Sequence, residues 1–189
     1  LLLVLPLMKF KFNKSETLIL VALEEECPRG LLSEWRVEYS GVGKVNAIIS
    51  LSKAVSQERP KTVINFGTAG SSDANLQGLK EVTTFKQRDM DVRPLGFKIG
   101  ETPYDKISDI KLNRPGLSCG TGDNFVSSSQ NIDTDLFDME SYAIAKFCLL
   151  NDLDFYCYKF VSDNANKEAA EDWKKNVSKG AEEFKKLIE

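Results

Sequence analysis

Two short apolar runs, Thr17 to Leu23 (TLILVAL) and Thr62 to Phe66 (TVINF), constrain the fold more than any other feature of this chain. Neither alternates between polar and apolar residues, and each is too short for a buried helix of ordinary length. Strands of this kind bury both faces, so they belong inside a sheet covered by helices above and below. Arg36 to Ser40, in contrast, alternates like a half-buried strand. Gly41-Val42-Gly43 then opens a helical stretch in which Val45, Ile48, Ile49 and Val55 recur at helical spacing, and Pro60 closes it.

The remaining segments continue the alternation. TVINF runs out at Gly67-Thr68-Ala69-Gly70, and Glu81 to Phe85 and Gly116 to Cys119 are shorter strand candidates. Asp138 to Leu150 reads as a helix with an acidic first turn, and Phe155 to Val161 as another central strand. A final helix is expected to place Trp173, Val177, Ala181, Phe184 and Ile188 on one face. Strands alternating with helices define an α/β chain with a mixed, largely parallel sheet flanked by helices. Ligands of such sheets gather beyond the carboxyl ends of strands. Glu26, Thr68 and Asp163 all fall at such ends.

The 189 residues suffice for one domain with a sizeable core. We expect a single domain over 16–189 and an N-terminal extension or remnant over 1–15, with Met8 as an alternative start. Leu1 to Leu7 is apolar but too short to span a bilayer, and it lacks the basic region and cleavage site of a signal peptide. No other segment is apolar enough to cross a membrane. A cytoplasmic protein without membrane or nucleic-acid partners is therefore expected, the net charge of −3 giving no basic footprint.

Histidine is absent. That removes Ser–His and Cys–His nucleophile pairs, the usual zinc sites and the usual neutral-pH base. The four cysteines have no C-x-x-C pair or ligand-like spacing, which reads as structural thiols in a reducing compartment. No metal and no cofactor are expected. Acid–base chemistry then falls to Asp, Glu, Lys, Tyr or Cys. Three acidic spots stand out: Glu24-Glu25-Glu26, Asp138-Met139-Glu140 and Ser162-Asp163-Asn164. Each alone is ordinary, as a solvated turn, a helix start favoured by the macrodipole and an N-cap or turn.

Taken with Gly41-Val42-Gly43-Lys44-Val45-Asn46-Ala47, Asn65-Phe66-Gly67-Thr68-Ala69-Gly70 and Gly122-Asp123-Asn124-Phe125-Val126, in this order, the three spots resemble the nucleoside phosphorylase/nucleosidase superfamily. Within it they resemble the methylthioadenosine/S-adenosylhomocysteine nucleosidases. The resemblance implies a phosphorylase/hydrolase-like three-layer fold and hydrolysis of the N-glycosidic bond of an adenine nucleoside carrying a 5′-thio or other apolar 5′ group. It implies Asp163 as the acid at N7 of the base, Glu140 on the ribose hydroxyls and Glu26 as the group that deprotonates water, an acid and base kept apart as in inverting glycosidases. Phe125 would stack on the purine and Val126 would read its edge through the backbone. Met139 would lie beneath the ribose, Thr68 near the water and Ser162 in the substrate pocket. Phe97 and Pro103 belong to a segment that in family homodimers roofs the 5′ pocket from the neighbouring subunit.

The match departs from the family at several places. A helix is missing between about Asp105 and Pro115, the stretch from Ser127 to Asp135 is cut down, Lys159 replaces an arginine, and Leu95 replaces an aromatic residue. Lys159 loses the fork geometry of arginine where it orients a carboxylate. Phosphorolysis by the same fold is the alternative, but Glu26 would repel a phosphate dianion, and no arginine lies beside Gly67–Gly70 or Gly41–Gly43. A non-catalytic nucleoside-binding protein is the other alternative; the retained trio of carboxylates argues against it.

Overall fold

The structure, a computed structural model, describes residues 12–128 and 132–189. Residues 1–11 of the expected extension, and 129–131 within the cut-down stretch, lie outside these. The ring of Phe12 meets Tyr156 edge-on at 4.8 Å.

Eight strands form one sheet: β1 (Thr17–Val21), β2 (Arg36–Tyr39), β3 (Thr62–Gly70), β4 (Gly78–Gln87), β5 (Ile110–Lys111), β6 (Leu117–Thr121), β7 (Leu136–Asp138) and β8 (Asp154–Asp163). The order is β2-β1-β3-β7-β6-β4-β5, with β8 bridging β3 and β4. Parallel pairing joins β1 to β2 and β3, β3 to β8, and β6 to β4 and β7. Antiparallel pairing joins β4 to β5 and β8, and β3 to β7. The mixed, largely parallel sheet expected from the sequence is thus present.

Helices α1 (Lys44–Gln57) and α2 (Ser141–Leu150) cover one face and α4 (Ala181–Ile188) the other, giving three layers. The apolar run of β1 splits between them. Leu18 and Leu20 pack with Ala47, Leu51, Tyr142 and Ile144, whereas Ile19 and Val21 pack with Phe184 and Ile188. On β3, Val63 faces the first core and Phe66 the second, where it stacks on Phe184 at 4.3 Å. Continuous hydrophobicity here records burial on both faces.

Several expectations need correction. In α1 the buried positions are Ala47, Leu51 and Ala54, whereas Val45 and Ile49 are 67% and 62% exposed. The small Ala47 and Ala54 let the helix lie close to the sheet beside Leu51, Val55 packs against the core, and Val45 and Ile49 face outward. The stretch beginning at Asp138 is not one helix: β7 ends at Asp138, and α2 starts at Ser141, whose N–H donates to Asp138 Oδ2 at 2.8 Å. The final helix is two, α3 (Ala169–Asn176) and α4. Gly180 lies against Phe160 in the break, where a Cβ would stand 2.4 Å from the Phe160 Cβ. Trp173 therefore leaves the face that Phe184 and Ile188 bury. β3 also continues past Phe66 to Gly70, while β5 and β7 have no counterpart in the sequence reading. Between Asp105 and Pro115 the chain carries the short β5 and no helix.

Candidate active site

A cleft of about 200 Å³ opens where β1, β3, β7 and β8 end, and Glu26, Thr68, Phe125, Val126, Met139, Glu140, Ser162 and Asp163 all line it. Eight of the ten residues singled out from the sequence meet here. Phe97 and Pro103 do not line it; Phe97 packs edge-on against Tyr104 instead, at 6.1 Å.

Glu26 follows β1 in a turn and folds back over β3. Its Oε1 accepts hydrogen bonds from the Thr68 N–H and hydroxyl, each at 2.8 Å, and its Oε2 accepts from the Leu23 N–H at 3.2 Å. Asp163 closes β8. Its Oδ1 accepts from the Ala165 N–H at 2.9 Å and its Oδ2 from the Ser162 hydroxyl at 2.8 Å. Both carboxyl groups press on β3 at glycines. A Cβ at Gly67 would lie 3.0 Å from Glu26 Oε1, and one at Gly70 would lie 2.6 Å from Asp163 Oδ1. The Gly67-Thr68-Ala69-Gly70 stretch thus leaves space for two acids while holding them apart.

Burial raises the pKa of Asp163 above the ordinary aspartate value, opposed by the two hydrogen bonds and aided by the charge of Asp172. The acid is thereby biased toward keeping its proton. Glu140 caps α2, and its Oε1 accepts from the Gly43 N–H at the start of α1, at 2.9 Å. Burial is the main reason its carboxyl is pushed up to about 8; Lys159 opposes the shift, and Asp138 and Glu26 add to it. Glu140 is thereby biased toward its protonated form, a bias that hydropathy and spacing cannot reveal.

Among the described residues, Lys159 forms no ion pair with Glu26 or Glu140. Its Nζ pairs with Asp138 Oδ2 at 2.9 Å, and Asp138 itself lines the cleft. Sequence reasoning missed Arg88 and Trp173, which both line the cleft. The Arg88 guanidinium donates to the carbonyls of Gly120, Gly122 and Asn124 and, at 2.8 Å, to Asn124 Oδ1. It thereby braces the segment that carries Phe125 and Val126. Arg88 directly follows β4, so the rule of strand carboxyl ends reaches it too. Trp173 was hidden by assigning it to a core-facing helical stripe. Among the described residues, no group of three or more Cys, Asp or Glu side chains is placed to hold a metal ion.

No family model matches the chain. A methylthioadenosine/S-adenosylhomocysteine nucleosidase of Marinomonas sp. (strain MWYL1) is 29% identical, the match covering 79% of this chain and 77% of that one. Among solved structures, futalosine hydrolase of Helicobacter pylori superposes with a TM-score of 0.82 at 19% identity, over 91% of this chain and 94% of its own. The methylthioadenosine/S-adenosylhomocysteine nucleosidase of Colwellia psychrerythraea, in complex with adenine, gives 0.80 at 20%, over 94% of each chain. The chain is thus similar to the nucleoside phosphorylase/nucleosidase superfamily. Within that superfamily it resembles the methylthioadenosine/S-adenosylhomocysteine nucleosidases.

Proposed function

We propose that this protein is an N-ribosyl hydrolase that cleaves the N-glycosidic bond of an adenine nucleoside of the 5′-methylthioadenosine or S-adenosylhomocysteine type, releasing adenine. The observation that carries this reading is the pair formed by Glu26 and Asp163. One carboxyl is held by three donors, the other is biased toward its protonated form, and both face one cleft from opposite edges of β3.

Asp163 donates its proton toward N7, so the purine departs without a full negative charge. Glu140 holds the ribose hydroxyls and, once ionised, steadies positive charge growing on the sugar. Glu26 deprotonates the attacking water. Phe125, 44% exposed at the cleft mouth, offers its ring to the base, and Met139 lies beside Glu140 to receive the ribose. Arg88 lines the cleft wall, but its guanidinium is engaged with the carbonyls of Gly120, Gly122 and Asn124, which favours water over phosphate as nucleophile.

The decisive measurement is adenine release from methylthioadenosine with and without phosphate. Release independent of phosphate and lost in Asp163→Asn is expected. Obligatory phosphate with ribose 1-phosphate as product contradicts hydrolysis, and tight binding without release contradicts an enzyme.

A homodimer accompanies this reading. Val42, Val45 and Ile49 expose an aliphatic stripe on and beside α1, and Phe97 and Pro103, which lie outside the chain's own cleft, would serve a partner's. Light scattering is expected to give twice the chain mass, with Ile49→Glu reducing it to one. The four buried free thiols support a reducing, cytoplasmic setting. Among the described residues, no helix is long and apolar enough to cross a membrane.

A further inference from the structure

We propose that Trp173 is a positioning residue for Glu26, acting through the Thr68 hydroxyl; this assignment rests on the hydrolase reading above. The indole Nε1–H is a donor only, whereas a threonine hydroxyl carries one proton and accepts through its lone pairs. Trp173 Nε1 donates to Thr68 Oγ1 at 2.9 Å. With that acceptor position filled, the hydroxyl proton is directed along the 2.8 Å contact to Glu26 Oε1. The Thr68 N–H reaches the same oxygen at 2.8 Å, so Oε1 has a donor for each of its two lone pairs. Among the described residues, Oε2 accepts only the longer bond from Leu23, which leaves it a lone pair. The geometry therefore designates Oε2 as the oxygen that receives the water proton.

The helix that carries the indole is anchored at a second point. Asn176, three residues further along α3 and hence on the same face, donates from Nδ2 to the Ser162 carbonyl at 2.7 Å. One short helix is thus tied both to β3, beside the base, and to β8, beside the acid. Asp172 on the same helix adds its charge to those that raise Asp163. Neither Trp173 nor Asn176 has a part in the reaction as described above.

The test is a double-mutant cycle. Trp173→Phe keeps the ring and deletes the donor, Thr68→Val deletes the hydroxyl but keeps the backbone N–H, and Thr68→Ser restores the hydroxyl. Trp173→Phe is expected to lower kcat about five- to tenfold with KM within about twofold, the scale of one hydrogen bond. The same penalty should appear in the Thr68→Ser background and vanish in Thr68→Val. Penalties that multiply in Trp173→Phe/Thr68→Val, or that fall on KM, overturn the assignment while leaving the hydrolase intact. A wild-type protein that releases no base overturns both. An independent readout comes from the two indole N–H resonances, since the chain has two tryptophans. Trp35 Nε1, buried without a partner among the described residues, serves as the internal reference. Thr68→Val must shift the Trp173 resonance and spare that of Trp35; an unmoved Trp173 resonance overturns the assignment even if Trp173→Phe fails to fold.

Discussion

Lys159 and Asp138 form an ion pair of 2.9 Å in which the two side chains are 1% and 0% exposed. Asp138 also accepts from the Thr121 hydroxyl at 2.6 Å and the Ser141 N–H at 2.8 Å. Burial favours the neutral form of each partner, but the opposite charge prevails, holding Asp138 below its ordinary range and Lys159 above. Removing one partner strands a charge in the interior, which costs about 3–5 kcal/mol. Urea denaturation of Lys159→Met and of Asp138→Asn should show losses of that size. Losses below about 1 kcal/mol in both would mean that the pair does not hold its charges as described.

Glu140 gives the protein a pH dependence with a definite sign. An unfolded glutamate titrates near pH 4.3, roughly, and in the fold the same carboxyl titrates at about 8. Between those values the folded chain binds more protons than the unfolded one, so stability falls as pH rises. The contribution of Glu140 is whole below the unfolded pKa and is lost as pH passes through about 8. Thermal unfolding from pH 5 to 9, roughly, is therefore expected to show a decline that Glu140→Gln flattens. If the ionised form serves the ribose, kcat/KM, which reports the free enzyme, should climb through the same limb.

Arg88 holds carbonyl groups that no lysine can reach in the same fork. Arg88→Lys is expected to raise KM about tenfold with kcat changed by less than about threefold, because the bonds lost brace the segment of Phe125 and Val126 rather than Glu26 or Asp163. Initial-rate measurements decide it. A loss confined to kcat would show that the arginine acts on the chemistry.

Gly70→Ala puts a methyl group 2.6 Å from Asp163 Oδ1 and 3.3 Å from the Ala165 Cβ. The aspartate must move, and displacement of an acid by about 1 Å costs roughly a hundredfold in rate. We expect kcat to fall by about that factor while the circular dichroism spectrum is retained. Activity within about threefold of wild type would show that the acid can be re-aimed freely.

Much of this was legible in the sequence. The unbroken runs of β1 and β3 announced strands buried on both faces, and the carboxyl-end rule pointed to Glu26, Thr68 and Asp163, which line one cleft. Helix faces were harder. Val45 and Ile49 mark an apolar stripe, but periodicity cannot say whether it meets the sheet or the outside, and here Ala47, Leu51 and Ala54 meet the sheet. Trp173 carried the same ambiguity, because the close approach of Gly180 to Phe160 that breaks the helix is a tertiary event. The raised pKa of Glu140 comes from burial, opposed by Lys159 and aided by Asp138 and Glu26, surroundings that only folding brings together.

The pairing of β3 with β8 has a kinetic consequence. Asn65 and Cys157, side by side on these strands, are 92 residues apart in the chain. Closing so large a loop comes before any gain from the contacts, so folding should be slow for a protein of this size. Until β8 docks, β3 presents an apolar edge with unpaired N–H and C=O groups, the kind of surface on which partly folded chains associate. Refolding yield should accordingly fall steeply with protein concentration, even where the native protein is stable.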